Sequence, residues 1–243
     1  MANGIVIIDK PAGWTSMDVC AKLRGILKTK KIGHAGTLDP MATGVLPVFV
    51  GRATRAVEFA SEGDKEYLAG LRLGTVTDTQ DTSGRVLEEH PVSVTREELE
   101  AALAPFRGEI QQLPPMYSAI KVNGKKLYEL ARKGREVERK PRAITIHSLV
   151  VEGQESATDF LIRVRCSKGT YVRTLCHDIG RALRCGGCMS GLRRTMAAGF
   201  KLEDALPLEQ VLQAEGPASL LLGVDAYFAD RPVLILKPPA EKK

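Results

Sequence analysis

The chain is expected to fold as an α+β protein. Short apolar runs that suit buried strands, several stretches with apolar residues at helical spacing, and a length within what one core reaches before splitting are all compatible with that class. At 243 residues one dominant core is the default. Apolar residues make up 44% and charged residues 26%, close to ordinary globular proteins, which excludes a disordered or fibrous chain.

The elements follow in chain order. Ile5 to Ile8 is a short apolar run ending before Asp9-Lys10-Pro11 and reads as a buried strand. A helix follows with Ser16 as its cap, and Met17, Cys20, Leu23, Ile26 and Leu27 form its apolar stripe. Residues 33 to 51 hold six Gly and Pro residues, which predicts a shaped loop with strand fragments. Arg55 to Ala60 suits a helix, and Tyr67 to Leu73 a strand with Tyr67, Ala69, Leu71 and Leu73 on one side. A polar loop spans Thr77 to Gly84. Thr95 and Glu98 form a capping box for a helix running to Gly108. Tyr117 to Val122 reads as a strand entering a turn at Asn123-Gly124, and Leu127 to Lys133 as a short helix stopped by Gly134. Strands are expected at Ile144 to Val151 and Phe160 to Cys166. Val172, Leu175, Ile179 and Leu183 then keep helical spacing, which puts Tyr171 and Arg173 at the start of a helix. The Lys/Pro-rich tail, Lys237 to Lys243, is expected to be mobile.

A net charge of +6 and a pI near 9.1 favour a polyanionic partner without deciding for one. The N-terminus lacks the pattern of a signal peptide and no apolar run has bilayer length, so a cytoplasmic protein without membrane contact is expected. Five cysteines, an odd number in a chain of this size, suit reduced thiols. Cys185-Gly186-Gly187-Cys188 is half of a zinc pattern with no second half, so no metal site is expected and the pair reads as half-buried residues beside a glycine turn.

The densest stretch of candidate chemistry is Gly33-His34-Ala35-Gly36-Thr37-Leu38-Asp39-Pro40-Met41-Ala42-Thr43-Gly44-Val45-Leu46-Pro47. Asp39 is its one carboxylate, set among Leu38, Met41, Val45 and Leu46. Apolar surroundings raise a carboxyl pKa, so an arginine partner is required if Asp39 is to serve as an ionised nucleophile. Taken alone, an Asp-Pro pair in a loop marks only a turn. The stretch as a whole resembles the catalytic motif of the bacterial TruB-type tRNA pseudouridine synthases, without a gap. The likeness continues in the family's order through Asp9-Lys10-Pro11, Asp64-Lys65-Glu66-Tyr67, Pro115-Met116-Tyr117-Ser118-Ala119, Gly124-Lys125-Lys126-Leu127-Tyr128 and Cys166-Ser167-Lys168-Gly169-Thr170-Tyr171-Val172-Arg173.

That resemblance implies an isomerase that converts the T-loop uridine at position 55 of tRNA to pseudouridine, with no cofactor. By it, Asp39 is the nucleophile, attacking either the uracil ring or the ribose carbon. Tyr67 stacks on the target base and assists proton transfer, and Arg173 pairs with Asp39. His34 fills the space of the flipped nucleotide, and Tyr171 and Leu192 line the base pocket. Without the resemblance Tyr67 would read as a core tyrosine, Arg173 as a solvated helix residue, and Tyr171 and Leu192 as core. Arg193-Arg194 is placed where it reaches the RNA backbone.

Nine basic residues lie between Lys121 and Arg142, with Tyr117 and Tyr128 interleaved. Lys121, Lys125, Lys126, Arg132 and Lys133 are candidates for gripping the tRNA T-arm, since the segment resembles the family's RNA-binding insertion, about residues 113 to 142. Residues 1–225 then form the catalytic domain and 226–243 a short tail, with the small C-terminal RNA-binding domain of longer members absent or truncated. The fold this implies is a mixed, mostly antiparallel central sheet flanked by helices, with the active-site cleft across the sheet. A monomer acting without guide RNA is expected. A tRNA-folding chaperone and a guide-RNA-dependent synthase are the competing readings.

Overall fold

The computed structural model of the protein describes residues 2–122, 124–229 and 232. The tail expected over Lys237 to Lys243 and the Asn123 half of the expected turn lie outside the described residues. β1 (Gly4–Lys10) covers the first apolar run and stops where Pro11 withdraws its N–H. The helix after it, α1 (Ser16–Ile26), is capped by Thr15 rather than Ser16. Thr15 Oγ1 accepts from the Asp18 N–H at 3.0 Å while Asp18 accepts from the Thr15 N–H at 2.9 Å. Ser16 is already inside the helix, its hydroxyl committed to the backbone of Leu38. The inward stripe is therefore Ser16, Val19, Cys20 and Leu23, and Met17, expected inside, is 54% exposed.

β2 (Ile32–His34) and β3 (Thr43–Val50) flank a loop, so half of the expected loop region is one uninterrupted strand. Pro47 fits within it because its carbonyl accepts from Ala35 N–H at 3.0 Å, and its missing donor points to that same side, away from the ladder with β1. A 3₁₀ turn at Gly51–Ala56 leads into α2 (Val57–Glu62). In β4 (Lys65–Leu73) Tyr67, Ala69, Leu71 and Leu73 are all buried on one side, as the alternation predicts. β5 (Thr75–Thr77) and β6 (Val86–Glu89) form a hairpin around the polar loop. Thr95 and Glu98 cap α3 (Arg96–Ala102), which stops short of Gly108: Pro105 cannot continue an α-helix, and a 3₁₀ turn replaces its end.

β7 (Gly108–Gln112) precedes the expected strand at Tyr117 to Val122, of which only the last two residues are extended. The Tyr117 carbonyl is taken by Arg173 and the Ser118 carbonyl by the Tyr128 N–H, so neither is left for a ladder. β8 (Lys121–Val122) and β9 (Lys125–Lys126) make a small hairpin that runs into α4 (Leu127–Ala131). β10 (Arg142–Gln154) and β11 (Asp159–Cys166) are the two expected strands. Next come α5 (Val172–Ala182), β12 (Gly187–Ala197), β13 (Phe200–Lys201), β14 (Leu206–Pro207), α6 (Leu208–Gln213) and α7 (Asp225–Phe228).

The main sheet runs β14-β1-β3-β12-β4-β11-β10-β7 and is antiparallel except at the β14–β1 and β3–β12 contacts. This is the mixed, mostly antiparallel α+β sheet that was expected. One face buries Leu46, Val48, Ala69, Leu71, Ile162 and Val164 against Val19 and Leu23 of α1, Leu99 of α3 and Leu175 and Ile179 of α5. Each of these valine, leucine and isoleucine side chains stabilises by roughly 1.5–3 kcal/mol on full burial, so the short helices are held by packing more than by propensity. The opposite face, at the β1–β3 end, packs Ile5, Ile7, Val45 and Phe49 with Ala53, Ala56, Tyr227 and Phe228.

Candidate active site

Asp39 sits on the loop between β2 and β3, which is fastened to β1, to α1 and to the segment between them. Ser16 Oγ accepts from the Leu38 N–H at 2.9 Å, the Gly13 N–H donates to the Pro40 carbonyl at 2.8 Å, and the Ala42 N–H donates to the Asp39 carbonyl at 3.0 Å. Lys10 Nζ, fully buried, donates to the carbonyls of Pro11, Trp14 and Pro40 at 2.8, 2.6 and 3.3 Å. At the loop's far end Gly44 has φ +99°, and a Cβ there would lie 2.2 Å from the Arg194 carbonyl, so only glycine lets β3 approach β12 this closely. The loop is thereby held rigid around a carboxylate whose side chain is 39% exposed.

Arg173, in the first turn of α5, points its Nε at Asp39 Oδ2 at 3.1 Å. Its guanidinium is nearly buried and otherwise spent on the Thr79 and Tyr117 carbonyls, at 3.2 and 2.8 Å, and on Asp81 Oδ2 at 3.6 Å. Asp81 is itself held by Thr79 Oγ1 at 2.8 Å and the Ser83 N–H at 3.0 Å. The arginine is thus clamped between two carboxylates, Asp81 buried and Asp39 partly open to solvent. Burial pushes the Asp39 carboxyl above its ordinary value; Arg173 is the strongest influence against that, Asp81 adds to the rise and Lys10 opposes it. Burial also lowers Lys10 to about 8, against the pull of Asp39.

Tyr67 projects from the middle of the sheet toward the same place. It faces Val164 of β11 and Arg194 of β12 across the ladder, and burial raises its phenol, with Arg194 the main opposing charge. His34, at the end of β2, is half-buried with no hydrogen bond at Nδ1; burial and the Arg194 charge lower its pKa and favour the neutral ring. Tyr171 immediately precedes α5 and is fixed by Gln112, whose amide donates to the Tyr171 carbonyl at 3.1 Å and accepts its N–H at 2.8 Å. Leu192 lies on β12 opposite Ala69, half-buried against the main core.

Asp39 and Arg173 are brought into contact, and Tyr67 lies close enough for the Asp39 charge to act on its phenol. The candidate RNA-gripping residues form a separate group on the β8–β9 hairpin and α4: Lys121, Lys125, Arg132 and Lys133 are exposed, and Lys126 and Arg132 each lie 5.4 Å from the centre of the Tyr128 ring.

Two expectations about side chains do not hold. Arg194 does not face RNA: it is 1% exposed and donates to the Val45 and Gly36 carbonyls at 2.7 and 3.0 Å, because β12 lies inside the sheet and aims it at the Asp39 loop. Arg193 points the other way and pairs with Asp9 at 2.7 Å. Cys185 and Cys188 are buried rather than half-buried, since Gly180 and Gly187 let α5 and the start of β12 touch backbone to backbone. Lys10, Asp81, Gln112 and Arg194 were not singled out as site residues by their own pattern. Lys10 and Asp81 lie in polar segments that read as a strand end and a loop, and only their burial reveals them.

Comparison with known proteins points to one family. A family model described as the N-terminal domain of TruB family pseudouridylate synthases matches residues 24–172, and one for the C-terminal domain of tRNA pseudouridylate synthase B matches residues 173–223. Proteins called tRNA pseudouridine synthase B from Azoarcus sp. (strain BH72) and Clostridium kluyveri are 51% and 46% identical. Those matches cover 98% and 99% of this chain and 80% and 83% of the relatives. Among solved structures, one titled as a Cbf5-Nop10-Gar1 complex superposes with a TM-score of 0.73 at 31% identity, over 92% of this chain and 61% of that one. With the sheet order, the Asp39 loop and these matches together, the chain belongs to the TruB family of tRNA pseudouridine synthases.

Proposed function

We propose that the protein isomerises the T-loop uridine at position 55 of tRNA to pseudouridine, with Asp39 as nucleophile. It acts in the cytoplasm as a monomer, without cofactor or guide RNA. The observation that carries this reading is the Asp39 carboxylate, open to solvent on one side and held by the buried Arg173 at 3.1 Å on the other. A nucleophile needs charge, orientation and access, and that pairing supplies the first two without closing off the third.

The uridine must leave its stack before Asp39 can reach it, at a cost of a few kcal/mol. His34 fills the vacated space; its neutral, half-buried ring suits packing against nucleobases. Tyr67 stacks on the extruded base, with Tyr171 and Leu192 as pocket walls. Attack by Asp39, at the uracil ring or the ribose carbon, leads to cleavage of the N1–C1′ bond. The base turns and rejoins C1′ through C5, and the hydrogen on C5 is replaced by one on N1, so the substrate is rearranged with nothing consumed. Tyr67 assists that proton transfer.

Residues 1–225 serve as the catalytic domain, and the segment about 113–142 grips the T-arm phosphates through Lys121, Lys125, Lys126, Arg132 and Lys133. Incubating the protein with an unmodified tRNA transcript, no guide added, and mapping pseudouridine tests the reading. Product at position 55 alone is expected. Product only when a guide RNA is supplied, or tight binding with improved tRNA folding and no product, would replace it with one of the competing readings.

A further inference from the structure

Arg194 is a fully buried arginine that the proposed reaction has not yet used. It ranks among the largest completely buried side chains, yet among the described residues it pairs with no carboxylate. A guanidinium taken out of water without an anion is costly, so a structure that keeps one has committed its charge to something. Its partners are two carbonyls on either side of Asp39, those of Gly36 and Val45. Across the β12–β4 ladder it stands directly opposite Tyr67. One planar group therefore touches both limbs of the nucleophile's loop and faces the phenol on the neighbouring strand.

We propose that Arg194 is a positioning residue that locks the Asp39 loop and the Tyr67 phenol in one frame, so that Tyr67 can take the proton from C5 of the rejoined base. This rests on the functional reading above. When C5 has bonded to C1′, its hydrogen leaves as a proton to the phenolate oxygen, and the C–H electron pair restores the ring double bond. The resulting phenol returns the proton to N1, and the protein ends as it began. A cation beside the phenol oxygen favours the phenolate that this step requires. Burial acts against that form, and Arg194 is the largest influence opposing the burial. Arginine suits the task because it keeps its charge where a lysine loses it; the neighbouring buried Lys10 is lowered to about 8.

The test uses the full chain and a tRNA transcript carrying uridine deuterated at C5, with single-turnover rates and tRNA affinity measured for R194K, R194M and each combined with Y67F. R194M is expected to slow the reaction about 100-fold, the scale of one acid–base contribution, with affinity changed less than about threefold. The slow step then shows a deuterium isotope effect that the wild type does not. R194K, which keeps a buried donor and serves where the methionine variant does not fold, is expected to recover about tenfold of the loss. In the Y67F background R194M should cost little more. Equal losses for Lys and Met without an isotope effect, or full additivity with Y67F, would show that Arg194 only supports the fold. A wild-type protein that makes no pseudouridine defeats the functional reading itself, whereas an active wild type with unaffected Arg194 variants defeats this assignment alone.

Discussion

Replacing Arg173 with methionine removes the charge that faces Asp39 while keeping most of the side-chain volume. At 3.1 Å and an effective dielectric near 20, the attraction is about 5 kcal/mol. The Asp39 side chain is 39% exposed, so solvent screening reduces that to about 2–3 kcal/mol. If the pairing is needed in full at the transition state, single-turnover pseudouridine formation falls about 30- to 150-fold, at 1.36 kcal/mol per tenfold. The pH profile moves as well. As the proposed nucleophile, Asp39 must be ionised to attack, so activity is expected to be lost as pH falls through its pKa, which burial already holds above the ordinary carboxylate value. Arg173 is the main influence against that rise, and without it the acid limb shifts to higher pH. The variant also leaves Asp81 buried without its cation, which destabilises the fold. R173M/D81N separates the two effects: stability returns and the rate does not. A rate within about threefold of wild type in R173M, or an acid limb that stays in place, would refute the reasoning.

Other expectations follow from the same loop and from the basic hairpin. Lys10 loses its proton near pH 8 and with it the charge that helps Asp39 ionise, so activity should decline above that pH; K10R should carry full activity further into the alkaline range. The sign for stability is opposite: the lowered folded-state pKa means that Lys10 favours folding more as pH rises from about 8 towards 10.5, which urea unfolding across that range checks. S16A removes the hydroxyl that satisfies the Leu38 N–H and should cost about 1–3 kcal/mol in thermal unfolding, although α1 keeps its Thr15 cap. K125Q/K133Q should reduce the slope of log affinity for tRNA against log salt by about 2, with the rate from saturating tRNA unchanged.

The parts of this fold legible in the sequence are those where one residue's chemistry acts locally. Thr95 and Glu98 cap α3 as their spacing dictates, and Tyr67 lies on the buried side of β4 because Ala69, Leu71 and Leu73 share its alternation. Thr15 rather than Ser16 caps α1 because two adjacent hydroxyls compete and the tertiary bond to Leu38 takes one of them. β12, which carries Leu192 and Arg194 through the middle of the sheet, shows no strand alternation at all. Gly187, Ser190, Gly191, Arg193 and Arg194 interrupt it, and two bulges shift its register against β4. Its extended form is imposed by β4 and β3 on either side, which no local pattern encodes. The burial of Arg194 is illegible for the same reason: charge predicts exposure unless the partners that pull it inward are known. Asp39 stands out as a candidate because its motif is long, whereas the positions of Lys10 and Asp81 around it depend on the fold.

Asp39 is the proposed attacking group, and D39N removes its charge. The substitution keeps the shape and removes the charge next to Arg173. With an unmodified tRNA transcript, no pseudouridine should form at position 55 while tRNA affinity stays within a few-fold of wild type. Pseudouridine appearing at a rate comparable to wild type would mean that another group carries out the chemistry.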